Sequence, residues 1–253
     1  MQSSFCIEDD FLRASIQANE EIFHKLKVGY DESDFVEGAI GAGGDRSSGL
    51  DLYAESVFVK YLGRFGRIES EESGVIGEGD VTIIIDPIDG SSNALSLFPY
   101  YGTSVARINS DGILDRAVVC NLVNGDIFLK EGGASLLQGR LDSDELREAI
   151  VAPHPQIGLF EKAYEHPQIV ALLGEARLKF RAPGAVALSL AYARTVNYML
   201  FVGSYRIYDF AAGLALCEDL EVVVEEDYVI VSKEKTVLNE IEDIVKKSLS
   251  LDK

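Results

Sequence analysis

Two aspartates three residues apart form a candidate metal site in the segment 86–93 (DPIDGSSN). The apolar, β-branched run 81–85 before it predicts a buried strand that delivers Asp86 to its C-terminal end. The proline after Asp86 fixes φ, and Gly90 permits a tight turn before a helix that Ser91 could begin. Carboxylate oxygens are the ligands that Mg²⁺ prefers, and backbone N–H groups at a helix start favour an anion. The segment therefore predicts either a metal and phosphate site or a plain turn capped by its two aspartates.

Four more carboxylates could complete such a site. Glu71 and Glu72 lie in a short acidic segment just before the predicted strand. Asp51 lies at the start of a predicted helix, and Asp209 precedes a run of Ala and Gly that begins another. Taken alone, each has an ordinary interpretation: a solvated acidic pair, a residue favoured by the helix dipole, and a helix N-cap. The spacings of an EF-hand, a P-loop or a zinc motif do not occur in the sequence.

The predicted elements that carry these residues differ between the two halves of the chain. Amphipathic helices, a glycine-rich mobile loop and a run of strands come first, and strands then alternate with helices. The predicted helices are 8–28, 50–62, 167–174, 184–194, 209–218 and 236–249, and the loop is 38–49. The predicted strands are 81–85, 102–108, 115–122, 126–130, 148–152, 176–180, 197–202, 221–225 and 228–232. We therefore predict an N-terminal α+β subdomain, 1–133, with the metal motifs, and a C-terminal α/β subdomain, 134–253, that completes the site.

The chain is strongly acidic, with 23 Lys and Arg against 42 Asp and Glu and a formal net charge of −19. Such a surface repels nucleic acid and anionic membranes, so we expect neither as a partner. We see no transmembrane run and no secretory signal, and we expect the three widely spaced cysteines to be free thiols. These features favour a cytoplasmic protein. A phosphate site in this chain needs a local positive source, which could be an Arg or Lys cluster, a helix N-terminus or a metal.

Three segments in order, 70–74 (SEESG), 86–93 and 208–213 (YDFAAG), resemble the inositol monophosphatase and fructose-1,6-bisphosphatase superfamily. Its members are metal-dependent, lithium-sensitive phosphatases, and this chain is most similar to the short archaeal-type members. The resemblance implies an α/β (α+β) fold, a layered αβαβα sandwich, in a homodimer or a dimer of dimers. It also implies hydrolysis of phosphomonoesters of small polyols or sugars, such as inositol 1-phosphate and fructose 1,6-bisphosphate.

The resemblance further implies metal ligands. Glu71, Asp86 and the backbone carbonyl of Ile88 would hold a first Mg²⁺. A second would be held by Asp86, Asp89 and Asp209, so that Asp86 bridges the two and Asp89 lies on the leaving-group side. Glu71 and Glu72 would support a weaker third ion, and Mn²⁺ could substitute for Mg²⁺.

The remaining implied roles concern water and substrate. Asp51 would bind the Ser91 hydroxyl and help, together with the metal ligand Glu71, to activate a water. Gly90 and Ser91 N–H groups would bind phosphate. The residues expected on the substrate side are Asp89, Gly90, Ser91, Arg181, Ala185, Tyr205 and Arg206.

This chain departs from the family pattern mainly on the substrate side. Residues 34–49 lack the lysine of many members, and Arg46 is the basic residue there. Ala185 replaces a hydroxyl residue, and Val202 stands where an acidic residue contacts inositol in the animal enzymes. Two alternatives stay open: a nucleotide 3′-phosphatase of the adenosine bisphosphate type, and a metal- and phosphate-binding protein without turnover. Retention of both Asp51 and Ser91 argues against the second.

Overall fold

The computed structural model describes residues 7–251, apart from the side chains of Asp144 and Leu251. Its helices are α1 (Asp10–Val28), α2 (Gly49–Leu62), α3 (Ser91–Leu95), α4 (Pro167–Glu175), α5 (Val186–Ala191), α6 (Ile207–Leu216) and α7 (Lys235–Leu251). Its strands are β1 (Glu37–Ile40), β2 (Arg46–Ser48), β3 (Arg67–Ser70), β4 (Gly74–Ile76), β5 (Thr82–Asp89), β6 (Gly102–Ile108), β7 (Leu114–Asn121), β8 (Asp126–Glu131), β9 (Leu137–Arg140), β10 (Ser143–Glu148), β11 (Gly158–Glu161), β12 (Phe180–Arg181), β13 (Met199–Val202), β14 (Glu221–Val224) and β15 (Tyr228–Ser232). Across residues 7–251, no helix combines the length and the apolar character that a membrane span requires.

Helix α1 follows its predicted amphipathic pattern. Asp9 caps it, because the Asp9 carboxylate accepts a hydrogen bond from the backbone N–H of Leu12 at 2.9 Å. The helix stops at Gly29, whose φ of 135° is a conformation that favours glycine. Its apolar face, which includes Phe11 and Ile22, is buried against α2 and the first sheet.

The first sheet has the strand order β10-β9-β8-β7-β6-β5-β3-β4. Its neighbours are antiparallel except β3 and β5, which pair in parallel. Strand β5 is buried throughout and runs to Asp89, although the sequence pattern predicted its end at Ile85. It continues through a bulge, since Asp86 pairs with Ser104 and Asp89 pairs with Gly102. Proline is tolerated inside the strand because a bulge interrupts the hydrogen-bond ladder.

The second sheet has the order β12-β11-β13-β15-β14, with β11 parallel to both of its neighbours. The chain passes from the first sheet to the second between β10 and β11, later than the boundary predicted at 133/134, and the division into two subdomains stays a prediction. The strand predicted at 148–152 is wrong, because β10 ends at Glu148 and the next strand begins at Gly158. Pro153 and Pro155 between them cannot donate to a ladder.

The layers alternate between helix and sheet. Helices α1 and α2 share one buried cluster with the first sheet, and the other face of that sheet packs on α5 and α6. The second sheet packs on α5 and α6 with one face and on α4 and α7 with the other. The predicted αβαβα sandwich is therefore confirmed. Both thiols within the described residues, Cys120 and Cys217, are buried and free, and Cys6 lies outside those residues.

Candidate metal centre

Three carboxylates converge where β3, β5 and α6 meet. Strands β3 and β5 are parallel with Ser70 opposite Ile85, so the residues that follow, Glu71 and Asp86, lie side by side. The first turn of α6 brings Asp209 to the same point. One carboxylate oxygen from each of Glu71, Asp86 and Asp209 lies within 4.8 Å of the other two. This is the spacing of oxygens around a shared cation.

Asp89 lies next to this cluster but faces another element. Its Oδ2 accepts a hydrogen bond from the backbone N–H of Leu188 at 2.7 Å, in the first turn of α5. The bulge after Asp86 turns the two aspartates of the motif toward different partners. One Asp89 oxygen is therefore committed to the α5 backbone, and its predicted role as a ligand of the second metal stays a prediction.

Asp51 and Ser91 are joined as the resemblance implied. The Ser91 hydroxyl lies 2.7 Å from Asp51 Oδ1 and 2.9 Å from the carbonyl oxygen of Ile88. The other Asp51 oxygen accepts the backbone N–H of Ser48 at 2.6 Å, which completes a capping box at the start of α2. Asp51 is therefore both a helix cap and a buried hydrogen-bond acceptor, with a relative exposure of 1%.

Arg206 contacts two of the three carboxylates of the cluster, Asp209 and Glu71. Its Nε and Nη2 contact the two carboxylate oxygens of Asp209 at 3.0 and 3.2 Å. Its Nη1 lies 2.7 Å from Glu71 Oε1, 2.9 Å from Asp45 Oδ2 and 3.0 Å from the carbonyl oxygen of Gly43. Arg206 is itself the N-cap position of α6, so the N-cap expected at Asp209 is wrong by three residues.

The glycine-rich segment predicted as a mobile loop is instead a hairpin. Strands β1 and β2 pair antiparallel, and the tip between them rests on the residues after β3. The N–H groups of Ala42 and Gly43 donate to the carbonyl oxygens of Glu72 and Glu71 at 2.9 and 2.7 Å. A Cβ on Gly43 would lie 2.5 Å from Glu71 Cγ, so only glycine permits this approach. The Glu72 carboxylate also accepts the hydroxyl of Ser47.

Burial among like charges shifts the acidity of the cluster. Burial, followed by the neighbouring carboxylates, raises the pKa of Asp86 well above its usual range. Burial also raises the pKa of Asp89 well above that range. The hydrogen bond from Leu188 lowers this pKa, but its effect is smaller than that of burial. Burial raises the pKa values of Glu71 and Glu72 to about 7, although Arg206 opposes the shift at Glu71. Without a metal, the cluster therefore favours the protonated forms of these carboxyl groups.

These residues fit a hard divalent cation. The cavity beside the cluster has a volume of about 340 Å³. Its ionisable lining is seven carboxylates and two guanidinium groups: Glu37, Asp45, Asp51, Glu71, Glu72, Asp86, Asp209, Arg46 and Arg206. Oxygen-only donors without sulfur or imidazole suit Mg²⁺ or Mn²⁺. A larger cavity of about 610 Å³ lies beside the start of α1, and a helix-capping carboxylate in its wall, Asp9, is already paired with Arg116.

The predicted site residues fall into two groups. Those that line the cavity are Asp51, Glu71, Glu72, Asp86, Ile88, Gly90, Ser91, Arg206 and Asp209. The others do not line it: Asp89, Arg181, Ala185 and Tyr205. The Ala185 methyl group is 1% exposed and lies next to Gly90, and its role on the substrate side stays a prediction. Arg181 is exposed and bonds the carbonyl of Phe180, and Tyr205 packs on Phe210.

Several supporting residues escaped the sequence analysis. Asp45 and Ser47 bind Arg206 and Glu72 across the hairpin. Glu161 is buried and accepts the N–H of Gly184 at 2.8 Å, which holds the turn before α5 in place. Asp45 and Ser47 belong to the Gly-Gly-Asp-Arg-Ser-Ser run, whose polar residues were a sequence signal for a functional segment. Their partners could not be predicted, because they are distant in sequence. Glu161 had no local signal.

The raised carboxyl pKa values predict how stability depends on pH when metal is removed. Glu71 and Glu72 bind a proton more tightly when folded, with pKa values of about 7 against 4.5. Their contribution is present below pH 4.5 and is lost as the pH rises through about 7. In EDTA, we therefore expect the Tm to fall between pH 5 and pH 8, measured by calorimetry. Glu72→Gln should make this slope shallower, and a Tm that rises over the interval would contradict the prediction.

The comparisons with known proteins agree with this architecture. A sequence model of the inositol monophosphatase family matches residues 9–225. The fructose-1,6-bisphosphatase/inositol-1-monophosphatase of Methanothermobacter thermautotrophicus is 31% identical over 210 residues, which cover 74% of each chain. The Nus factor SuhB of Escherichia coli K12 is 28% identical over 85% of this chain and 84% of that protein. The solved structure of a Thermotoga maritima IMPase, 22% identical, matches with a TM-score of 0.75 over 95% of this chain and 100% of that one. The resemblance seen in the motifs is confirmed, and the chain belongs to the inositol monophosphatase family.

Proposed function

We propose that this chain is a Mg²⁺-dependent phosphatase that hydrolyses phosphomonoesters of small polyols or sugars. One observation carries the proposal: the Asp51–Ser91 hydrogen bond opens on the same cavity as the cluster of Glu71, Asp86 and Asp209. A protein that only held a metal would not need a buried acceptor for a serine proton. Family membership supports phosphatase activity in general, since the Methanothermobacter relative is named for two such activities.

The metal ligands follow from the cluster. Glu71, Asp86 and Asp209 would hold Mg²⁺, and the Ile88 carbonyl in the cavity wall would complete one site. The second oxygen of Asp89 would complete the other, as the resemblance implies. Glu72, held by Ser47 beside Glu71, would support a third, weaker ion. When bound, Mg²⁺ would neutralise the ester charge and lower the pKa of a water molecule.

The chain's own residues then position and deprotonate the water. The Ser91 hydroxyl donates its hydrogen to Asp51, so its lone pairs remain to accept a hydrogen bond from a water molecule in the cavity. As the water oxygen attacks phosphorus, its proton passes through Ser91 to the carboxylate of Asp51. The ester bond to the alcohol breaks, and the alcohol oxygen leaves with a proton taken from solvent. Asp51 is fixed by the α2 cap, so this geometry needs no rearrangement.

The phosphate would be held by Arg206 and by the N–H groups of Gly90 and Ser91. Arg206 lies in the cavity wall, where its Nε and Nη2 hydrogens are donated to Asp209, and it would replace the loop lysine that residues 34–49 lack. Val202 is 2% exposed, so no acidic side chain contacts an inositol ring from that position. We therefore favour fructose 1,6-bisphosphate over inositol 1-phosphate.

A substrate panel tests the proposal. With Mg²⁺, we expect the purified protein to release phosphate from fructose 1,6-bisphosphate faster than from inositol 1-phosphate. The same assay in EDTA should show no release, and Mn²⁺ should restore part of it. Adenosine 3′,5′-bisphosphate is the third compound in the panel. A preference for it would indicate that the substrates are nucleotides rather than sugars. Activity that persists fully in EDTA would refute the metal mechanism.

Two further properties stay proposals. The resemblance implies a homodimer or a dimer of dimers, and the composition and cysteine pattern favour a cytoplasmic location. The net charge of −19 supports the expectation that the partner is a small phosphate ester rather than nucleic acid or a membrane.

A further inference from the structure

Arg206 is bound to the oxygens that a metal ion would need. Its guanidinium group contacts both Asp209 oxygens and one Glu71 oxygen, at distances between 2.7 and 3.2 Å. Glu71 and Asp209 belong to the set of three carboxylates that converge within 4.8 Å. Arg206 is therefore an internal cation that shares its ligands with the candidate metal centre.

Arg206 also joins these carboxylates to the tip of the β1–β2 hairpin. The same Nη1 lies 2.9 Å from Asp45 Oδ2 and 3.0 Å from the carbonyl oxygen of Gly43. One nitrogen thus has three oxygen neighbours, from Glu71, Asp45 and Gly43, and it has only two hydrogens to donate. The contact with Glu71 can be given up without leaving Nη1 unpaired.

A divalent ion and this guanidinium group repel each other. At separations of a few ångströms, a charge of +2 and a charge of +1 oppose each other by more than about 1 kcal/mol even in a solvent-like dielectric. The carboxylates of Glu71 and Asp209 cannot direct the same lone pairs at both cations. An ion that enters the cluster must therefore weaken the hold of Arg206 on Glu71.

We propose that Arg206 exchanges partners when metal binds: it neutralises Glu71 and Asp209 before binding, and afterwards it releases Glu71 and turns one Nη1 hydrogen from the hairpin tip to the substrate phosphate. The phosphate half of this inference rests on the proposed function, and the metal half does not. Arg206 then competes with Mg²⁺ for the carboxylates and binds the phosphate. Removing its charge should therefore raise the affinity for Mg²⁺ and lower the affinity for phosphate. A purely structural role would weaken both.

Calorimetric titrations of the EDTA-stripped protein test the exchange without any turnover. We expect Arg206→Gln to bind Mg²⁺ about tenfold more tightly than the wild type, because a repelling charge is gone. Inorganic phosphate, titrated into the Mg²⁺-saturated protein, should bind Arg206→Gln about tenfold more weakly. Arg206→Lys keeps the charge but not the fork geometry, so its Mg²⁺ affinity should stay near that of the wild type while phosphate binding is partly lost.

The matched control is Arg46→Gln. Arg46 lines the same cavity, but its contacts are with Gly38 and Glu37 on the hairpin, so both affinities should change by less than about twofold. Weaker Mg²⁺ binding by Arg206→Gln would overturn the exchange and make Arg206 a residue that orients Asp209. If Arg206→Gln does not fold, the Mg²⁺ titration of Arg206→Lys tests the proposal instead. A large loss of Mg²⁺ affinity in that variant would contradict the proposal. If no phosphate ester is hydrolysed, the Mg²⁺ titration still tests the competition.

Discussion

Asp86→Asn is expected to abolish phosphate release and, in EDTA, to make the protein more stable. Asp86 is 2% exposed, and one of its oxygens lies within 4.8 Å of an oxygen of Glu71 and of Asp209. Under the proposed function it is the ligand that would contact both metal ions. Its loss should lower kcat/KM by roughly a thousandfold, or about 4 kcal/mol of transition-state stabilisation. Without metal, however, the same carboxylate is a buried charge among like charges, and its pKa is raised well above the usual range. Removing it should relieve repulsion worth about 1 kcal/mol, a rise in Tm of about 2–4 °C.

Two measurements separate these effects. Phosphate release is measured with Mg²⁺, and thermal unfolding is measured at pH 8 in EDTA and again with Mg²⁺. The wild type should gain stability from Mg²⁺, and Asp86→Asn should gain little, because the metal no longer binds the folded state preferentially. Asp111→Asn, the same change on an exposed turn, is the control and should alter neither quantity. A variant that lost activity but kept the full Mg²⁺-dependent rise in Tm would show that Asp86 is not a metal ligand.

Asp51→Asn and Ser91→Ala are expected to lower kcat by the same large factor while Mg²⁺ binding is retained. The two side chains form one path for a proton, with 2.7 Å between Ser91 Oγ and Asp51 Oδ1. Breaking the path at either end should cost roughly 10²- to 10³-fold in kcat, which lies within the range of general base catalysis. Asparagine keeps an oxygen for the α2 cap to Ser48, so folding should be nearly unaffected.

The double variant gives the sharper result. Because the two residues act as a unit, Asp51→Asn combined with Ser91→Ala should be about as slow as either single variant. Ser92→Ala is the matched control, since Ser92 also lines the cavity but is exposed and should change kcat by less than about twofold. Multiplicative losses in the double variant would mean that Asp51 and Ser91 act independently, and the proton path would then be wrong.

Local patterns account for much of what the sequence predicted. The extents of α1, α2 and β6 were predicted to within two residues, because apolar periodicity and caps such as Asp9 are set by neighbours in sequence. The hairpin β9–β10 was missed. Its strands, 137–140 and 143–148, are rich in polar and charged residues and carry little apolar alternation. They form strands because β9 pairs with the edge of β8 and β10 pairs with β9. No local sequence pattern shows this pairing.

What the sequence determined by itself is the chemical content of the site. Proline, glycine and a buried strand place Asp86, Asp89 and Ser91 on one short segment, and these are local constraints. Which oxygens face one another was decided only by the tertiary structure. The parallel register of β3 and β5 brings Glu71 beside Asp86. The backbone at the start of α5 binds one oxygen of Asp89, and Arg206 contacts the hairpin tip 163 residues away in sequence. These contacts depend on how separate layers pack, and packing between distant segments is not encoded in the spacing of neighbouring residues.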